Sequence, residues 1–212
     1  MEIIDIALAK RKWFNKYGII KRKTLGITDA DFDDGILITG TTGSGIFEAM
    51  IRLILACRKL ERKVVVLIPK YRGASAEQEA SRYQELTENN RNDKIASFQI
   101  QTTDEIRIPK DCKNANVTFI EISDVNSKEI FEHLHVVYPE HTFFCYLFDV
   151  KDITQEFAKN CVFVTNVDTE VKFSRSFMMR SEDEKKSDII KNLQPGFFVE
   201  DEQPPMVFIF PT

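Results

Sequence analysis

Gly40, Gly43 and Gly45, set among Thr41, Thr42 and Ser44, form the stretch of this chain whose residue types are suited to holding an anion. Glycines at these positions let the backbone turn tightly and aim successive N–H groups at one point. An apolar run, Ile36 to Ile38, leads into the loop, and from Phe47 to Leu60 apolar side chains recur at helical spacing. The predicted order is strand, glycine loop, helix, and the helix adds the positive end of its dipole behind the loop. The chemistry on offer is the binding of a phosphate.

The spacing Gly40-x-x-x-x-Gly45 is that of a Walker A loop, in which the next two residues are Lys and then Ser or Thr. Here they are Ile46 and Phe47. The lysine would neutralise the β- and γ-phosphates and the hydroxyl would hold Mg²⁺, so both charge-bearing contacts are gone while the glycines remain. Loss of one preorganised transition-state donor typically costs ~10²–10³ in rate, and two such groups are missing together. Three readings follow: a retained fold with lost or crippled catalysis, a true nucleotidase whose lysine comes from elsewhere, and a coincidence of spacing. Under the first, Gly40, Thr41, Thr42, Gly43, Ser44, Gly45, Ile46 and Phe47 are a vestigial or weak nucleotide site and no cofactor is expected. ATP with Mg²⁺ belongs to the second.

The rest of the chain must position this loop. With 212 residues, 43% apolar and 29% charged, it suits one α/β domain over residues 29–212, preceded by an N-terminal extension over residues 1–28. Asp29, Asp31, Asp33 and Asp34 make a polar turn before the first strand. After the loop helix, Val64 to Ile68 is the near-continuous β-branched run of a strand buried on both faces. A helix near 74–87 and short apolar patches at 97–101 and 106–108 follow. Strands are predicted at 117–122, 142–148 and 161–165, with helices at 127–134 and 153–159 between them. A charged helix over 181–193, the turn Pro195-Gly196 and strands at 197–199 and 207–210 close the chain. Crossovers of this length predict a three-layer, doubly wound, mostly parallel sheet with helices on both faces and the last two strands antiparallel at an edge.

Residues 2–17 read as an amphipathic helix, with Ile3, Ile4, Leu8, Trp13, Phe14 and Tyr17 apolar and Lys10, Arg11, Lys12 and Lys16 between them. Lys21, Arg22 and Lys23 extend the basic run. Basic residues interleaved with aromatics suit nucleic-acid phosphates or an anionic membrane surface; a docking helix with solvated charges accounts for the same pattern. The formal charge of −4 gives no global argument for nucleic acid, although the first two dozen residues are basic and the last thirty acidic. No apolar run approaches the ~20 residues of a membrane span, and no apolar signal segment opens the chain, so a cytoplasmic location is expected. Cys57, Cys112, Cys145 and Cys161 are widely spaced and suit reduced core thiols. His133 and His135 face different directions on a helix and His141 lies past Pro139, so no metal site is expected.

With these elements in order, the chain resembles the FtsK–HerA superfamily of P-loop ATPases, which includes DNA pumps and the coupling proteins of conjugation and type IV secretion. The segment from Ile36 to Lys70 looks like that family's strand, Gly-Thr-Thr-Gly-Ser-Gly loop, helix and second strand. Residues 189–199 and 205–211 are similar to its terminal helix, its leucine-x-x-glycine turn at Leu193 to Gly196, and its last strands. The resemblance implies a RecA-like fold, a Walker B strand ending in Asp149 beside the Mg²⁺ shell, and a polar sensor at Thr165 and Asn166. Val150 stands where the water-polarising Glu belongs, and Asp149 serves equally as a helix N-cap. Asp149 and Asn166 are the catalytic candidates; Arg175 and Arg180 lie where a neighbour's arginine finger is carried.

The Walker A lysine, its hydroxyl neighbour and the Walker B glutamate are all absent at matching positions, so the resemblance implies fold and assembly without licensing ATPase activity. It implies a non-catalytic structural or regulatory subunit of a DNA- or protein-translocating machine, with protein partners or further copies of itself, and DNA as a further partner. The alternatives are an active ATP-dependent translocase whose cation comes from Lys70, the basic N-terminus or a neighbouring protomer, and a nucleic-acid-binding module using Lys10 to Lys23.

Overall fold

The element that carries the glycine loop, Ile36–Thr39, is a strand with every residue buried, and it lies inside a large mixed sheet. The computed structural model describes residues 2–13, 16–60, 65–69, 77–78, 80–81, 84–85, 99–103, 117–122, 132–133, 135–137, 142–147, 153–165, 169–200 and 206–210. The strands are β1 (Ile4–Trp13), β2 (Lys16–Ile27), β3 (Ile36–Thr39), β4 (Val65–Pro69), β5 (Gln99–Thr103), β6 (Val117–Ile122), β7 (Thr142–Leu147), β8 (Cys161–Thr165), β9 (Arg175–Met179), β10 (Phe197–Glu200) and β11 (Val207–Ile209). The helices are α1 (Asp29–Asp34), α2 (Ile46–Lys59) and, in our numbering, α3 (Asp188–Lys191).

Nine strands form one sheet in the order β2-β1-β11-β10-β9-β3-β8-β7-β6, and β4 pairs with β5 in a second sheet. The sheet has two halves that meet at β9. From β2 to β9 every neighbour is antiparallel; from β9 to β6 every neighbour is parallel. The fold is therefore mixed α/β, and the expectation of a mostly parallel sheet holds for one half only.

Helix α2 explains why the parallel half is stable. Its Ala49, Met50, Leu53, Ile54 and Cys57 are buried and share one apolar cluster with Ile36, Ile38, Phe144, Val162, Val164 and Phe177. Spacing of three and four residues puts those α2 side chains on one stripe. The other face of these strands carries Phe143, Cys145, Cys161 and Phe163, all buried. It is covered by His135 against Phe143, Phe157 stacked on Phe163, and Phe173 edge-on to Phe163. Cys57, Cys145 and Cys161 are buried cysteines that form no disulfide among the described residues, and burial, then Cys161 alongside, pushes the Cys145 thiol well up.

Several expectations are corrected. Where a helix was expected over residues 2–17, Ile4–Trp13 is a strand and Lys16–Ile27 a second strand antiparallel to it. Ile4, Ile6 and Leu8 alternate, as do the buried Leu25 and Ile27, and β1 completes its hydrogen bonding on β11, to which it pairs from Leu8 to Lys10. A register shift between Asp5 and Ala7 lets the consecutive Ile6 and Ala7 both be buried. With this hairpin added, β10 and β11 lie inside the sheet and not at its edge. Residues 155–160 form turns instead of the helix expected at 153–159; Asn160, at φ 55°, ends the segment immediately before β8. The charged helix expected at 181–193 shrinks to α3, because the Ser181 hydroxyl and the Asp183 carboxylate accept from the N–H groups of Asp183 and Lys185 and compete with helical bonding. Strand β9 was not anticipated. The patch at 106–108 lies outside the described residues.

Candidate functional site

Because β3, β7, β8 and β9 run parallel, their carboxyl ends come together: Thr39 is level with Thr165 and Met178, and Leu147 with Thr165. In open α/β sheets ligands bind outside such ends. The glycine loop occupies this edge. Its Gly40 N–H donates to the Thr165 carbonyl at 3.1 Å, and Thr41 donates to the Arg180 carbonyl from both its N–H and its hydroxyl, at 2.9 and 3.1 Å. Ser44 N–H turns back to the Thr41 carbonyl at 3.1 Å. The N–H groups of Gly40, Thr41 and Ser44 and the Thr41 hydroxyl are thus bonded within the protein itself.

Behind the loop the turn at Pro195-Gly196 closes in. Gly196 N–H donates to the Ser44 carbonyl at 2.9 Å. Gly45 has φ +98°, and a Cβ there would lie 2.5 Å from the Gly196 nitrogen and 2.9 Å from its Cα. Gly43, at φ +79°, has nothing within 4 Å of that position. Both glycines meet a backbone demand, but only Gly45 also meets a packing demand.

Ile46 and Phe47 are half-buried and packed against the main apolar cluster. The Ile46 side chain reaches back over the loop, since a Cβ on Gly40 would be 3.4 Å from its Cδ1. The same Cβ would lie 2.7 Å from the Ser44 hydroxyl oxygen, a buried atom with no hydrogen-bond partner among the described residues. In the first turn of α2 the charged residue is Glu48, which sits favourably on the helix dipole and opposes an incoming phosphate there. Its position one step after Phe47 is the sequence signal for it.

The two arginines separate. Arg175 donates from Nε to the Glu200 carboxylate and from Nη1 to the Gly26 carbonyl at 3.0 Å, with Asp31 at 3.5 Å and the Phe177 ring beneath the guanidinium. An arginine committed in this way holds β9 to β10 and cannot serve a neighbour as a finger. Arg180 is exposed and adjoins the loop through its carbonyl.

Asp149 and Asn166 follow β7 and β8 by two residues and one residue, and both, with Lys70, Val150 and His141, lie outside the described residues. Lys10, Arg11 and Lys12 fall on β1 and Lys16, Lys21, Arg22 and Lys23 on β2, at the opposite end of the sheet from β6, with β11, β10 and β9 between β1 and β3. They do not join the glycine loop. Burial pushes the His135 imidazole below its ordinary range, with Glu156 pulling the other way. Among the described residues no group of three His, Cys, Asp or Glu side chains is placed to hold a metal ion, and no helix is long and apolar enough to cross a membrane.

No protein-family model matches the chain, and no curated protein matches its sequence. Among solved structures it is similar to EssC (ATPases 2 and 3) from Geobacillus thermodenitrificans, with a TM-score of 0.45 and 9% sequence identity, over 99% of this chain and 41% of that one. This chain therefore spans well under half the length of that protein.

Proposed function

We propose that the chain is a degenerate P-loop ATPase-like protein, a non-catalytic structural or regulatory subunit of a machine that moves DNA or protein. The observation that carries this reading is the glycine loop itself. It sits at the carboxyl ends of the parallel strands, where a nucleotide site belongs, yet Ile46 and Phe47 pack on the core where a lysine and a hydroxyl would face phosphate. Gly40, Thr41 and Ser44 spend their N–H groups internally, and Glu48 puts a negative charge at the helix N-terminus. The strand order β9-β3-β8-β7-β6, with the loop strand between β9 and β8, supports a RecA-like core. The two sequence blocks that carry the FtsK–HerA resemblance meet at Gly45 and Gly196, which supports a common origin for both. Titration of the wild-type protein with ATP and Mg²⁺ tests the proposal: no saturable binding up to about 1 mM is expected, a free energy weaker than about −4 kcal/mol. Micromolar binding would overturn it.

A second reading, an active subunit whose phosphate cation comes from outside the loop, draws on Arg180, exposed and bonded through its carbonyl to Thr41. It requires nucleotide binding by the wild type that Arg180→Ala abolishes.

A further inference from the structure

On the sheet face turned away from α2, the cover over β7 and β8 is thin. Phe143, Cys145, Cys161 and Phe163 are fully buried there, and among the described residues they are covered by short pieces: the helical segment at 135–137, the turns at 155–160 and the stretch that leads into β9. The His135 and Phe157 rings stand 6.2 Å apart, and Phe157 and Phe173 both pack on Phe163. The Gln155 side chain ties the last two pieces together, accepting from the Lys172 N–H and donating to the Lys172 carbonyl.

The outer surface of this cover is apolar. Val136 and Val137, 79% and 48% exposed, follow His135 directly, and Ile153, Phe157, Val171 and Phe173 are only half-buried. Among the described residues five large apolar side chains are exposed, and Val136 and Val137 are the two that adjoin. Scattered apolar residues need no explanation, but adjoining ones beside half-covered rings mark a contact surface. Local structure gives no reason for them, since a β-branched side chain loses rotamer freedom in a helix and gains nothing there from solvent.

The charges around the patch say what it meets. Glu132, Glu156 and Glu170 are exposed, and so are Lys159 and Lys172. Both signs occur on each of two pieces, Glu156 before Lys159 and Glu170 before Lys172, so the rim complements itself: a copy turned about a two-fold axis can set lysines against glutamates. A strongly basic or strongly acidic partner would meet like charge on part of the rim. We propose that this face, built from residues 135–137, 153–159 and 169–173, is the interface of a two-fold dimer of the chain, with Val136 and Val137 at its centre. The same patch then serves on both subunits. His135 packs on Phe143, which is level with Cys161 at the amino end of β8, whereas the glycine loop is at the carboxyl ends of the strands. The inference is therefore independent of whether that loop holds nucleotide.

Sedimentation velocity of the full chain from about 1 to 200 µM tests it, because a dimer forms by mass action. The mass is expected to rise with concentration from 24.6 kDa toward twice that and no further, since a two-fold contact closes on itself. Val136→Glu/Val137→Glu should weaken association at least ~30-fold, the loss that defines a hot spot, while the circular dichroism spectrum and urea midpoint stay at the wild-type values, because both side chains are exposed. Ile3→Glu, at an exposed apolar residue outside the patch, should leave association as it is. Lys159→Glu/Lys172→Glu and Glu156→Lys/Glu170→Lys should each associate more weakly alone and pair with one another when mixed. A wild type that stays at 24.6 kDa at the highest concentration would overturn the proposal, even if another protein covers the patch. So would a dimer undisturbed by Val136→Glu/Val137→Glu, charge variants that stay apart when mixed, or growth beyond the dimer.

Discussion

Replacing Gly43 and Gly45 separately by alanine sets two positive-φ glycines of one loop against each other. At Gly43 an added Cβ meets nothing within 4 Å, so alanine incurs only the left-handed backbone cost, about 1–2 kcal/mol. At Gly45 the same kind of cost applies at φ +98°, and the Cβ also falls 2.5 Å from the Gly196 nitrogen and 2.9 Å from its Cα. Those are backbone atoms, so the turn must move, and the Gly196 N–H bond to the Ser44 carbonyl goes with it, a further loss of about 1 kcal/mol. The expected total is about 3 kcal/mol or more. In a chain of this size each kcal/mol shifts the melting temperature by roughly 2–4 °C, so Gly43→Ala should lower Tm by about 2–8 °C and Gly45→Ala by about 6–12 °C or more. Urea denaturation followed by tryptophan fluorescence and far-UV circular dichroism measures both, with the midpoint compared at constant slope. Equal losses from the two substitutions would refute the idea that the Pro195-Gly196 turn is docked on the loop.

Arg175→Met should destabilise by about 3–5 kcal/mol, because it leaves the buried Glu200 carboxylate without its guanidinium; Arg175→Met/Glu200→Gln should recover most of that, and a double variant no better than the single would contradict it. Ser44→Ala should be neutral or stabilising by about 1 kcal/mol, since it removes a buried hydroxyl with no partner among the described residues; a loss beyond 1 kcal/mol would mean the hydroxyl is bonded in solution. For His135, whose folded imidazole titrates below its ordinary value, the unfolded chain binds more protons just below the unfolded value of ~6.5. Its contribution to stability is therefore complete above about pH 6.5 and is lost as pH falls from there toward the depressed folded value. His135→Phe, which keeps an aromatic ring against Phe143 and Phe157, should remove that segment of the pH–stability profile; parallel profiles for wild type and variant would contradict the assignment.

The parts of the fold legible in the sequence are those decided locally. Ile36 to Lys59 reads as strand, loop and helix because the β3 run, the glycines and the α2 stripe each carry their own signal, and the observed bounds agree. The apolar runs of β7 and β8 were equally plain. The N-terminal strands are not legible locally because Ile3, Ile4, Leu8 and Tyr17 also satisfy a helical count, and what decides the matter is the pairing of Leu8 with Ile209 at the other end of the chain. Strand β9 carries no β-branched residue in Arg175-Ser-Phe-Met-Met179 and is fixed by neighbours on both sides. At the site, the loop residues were found from their spacing, and Arg175 lost its functional reading to Glu200 and Gly26, neither of which is near it in sequence. The docking of Gly196 on Gly45 is likewise a long-range contact that no local pattern reveals.

The most direct test of the central claim is calorimetric titration of ATP with Mg²⁺ into the wild type and into Ile46→Lys/Phe47→Thr. No saturable binding by the wild type and micromolar binding by the double variant are expected, because restoring the cation and the hydroxyl would refit a loop whose backbone is already shaped by Gly43 and Gly45. Micromolar binding by the wild type, hydrolysed or not, would contradict it.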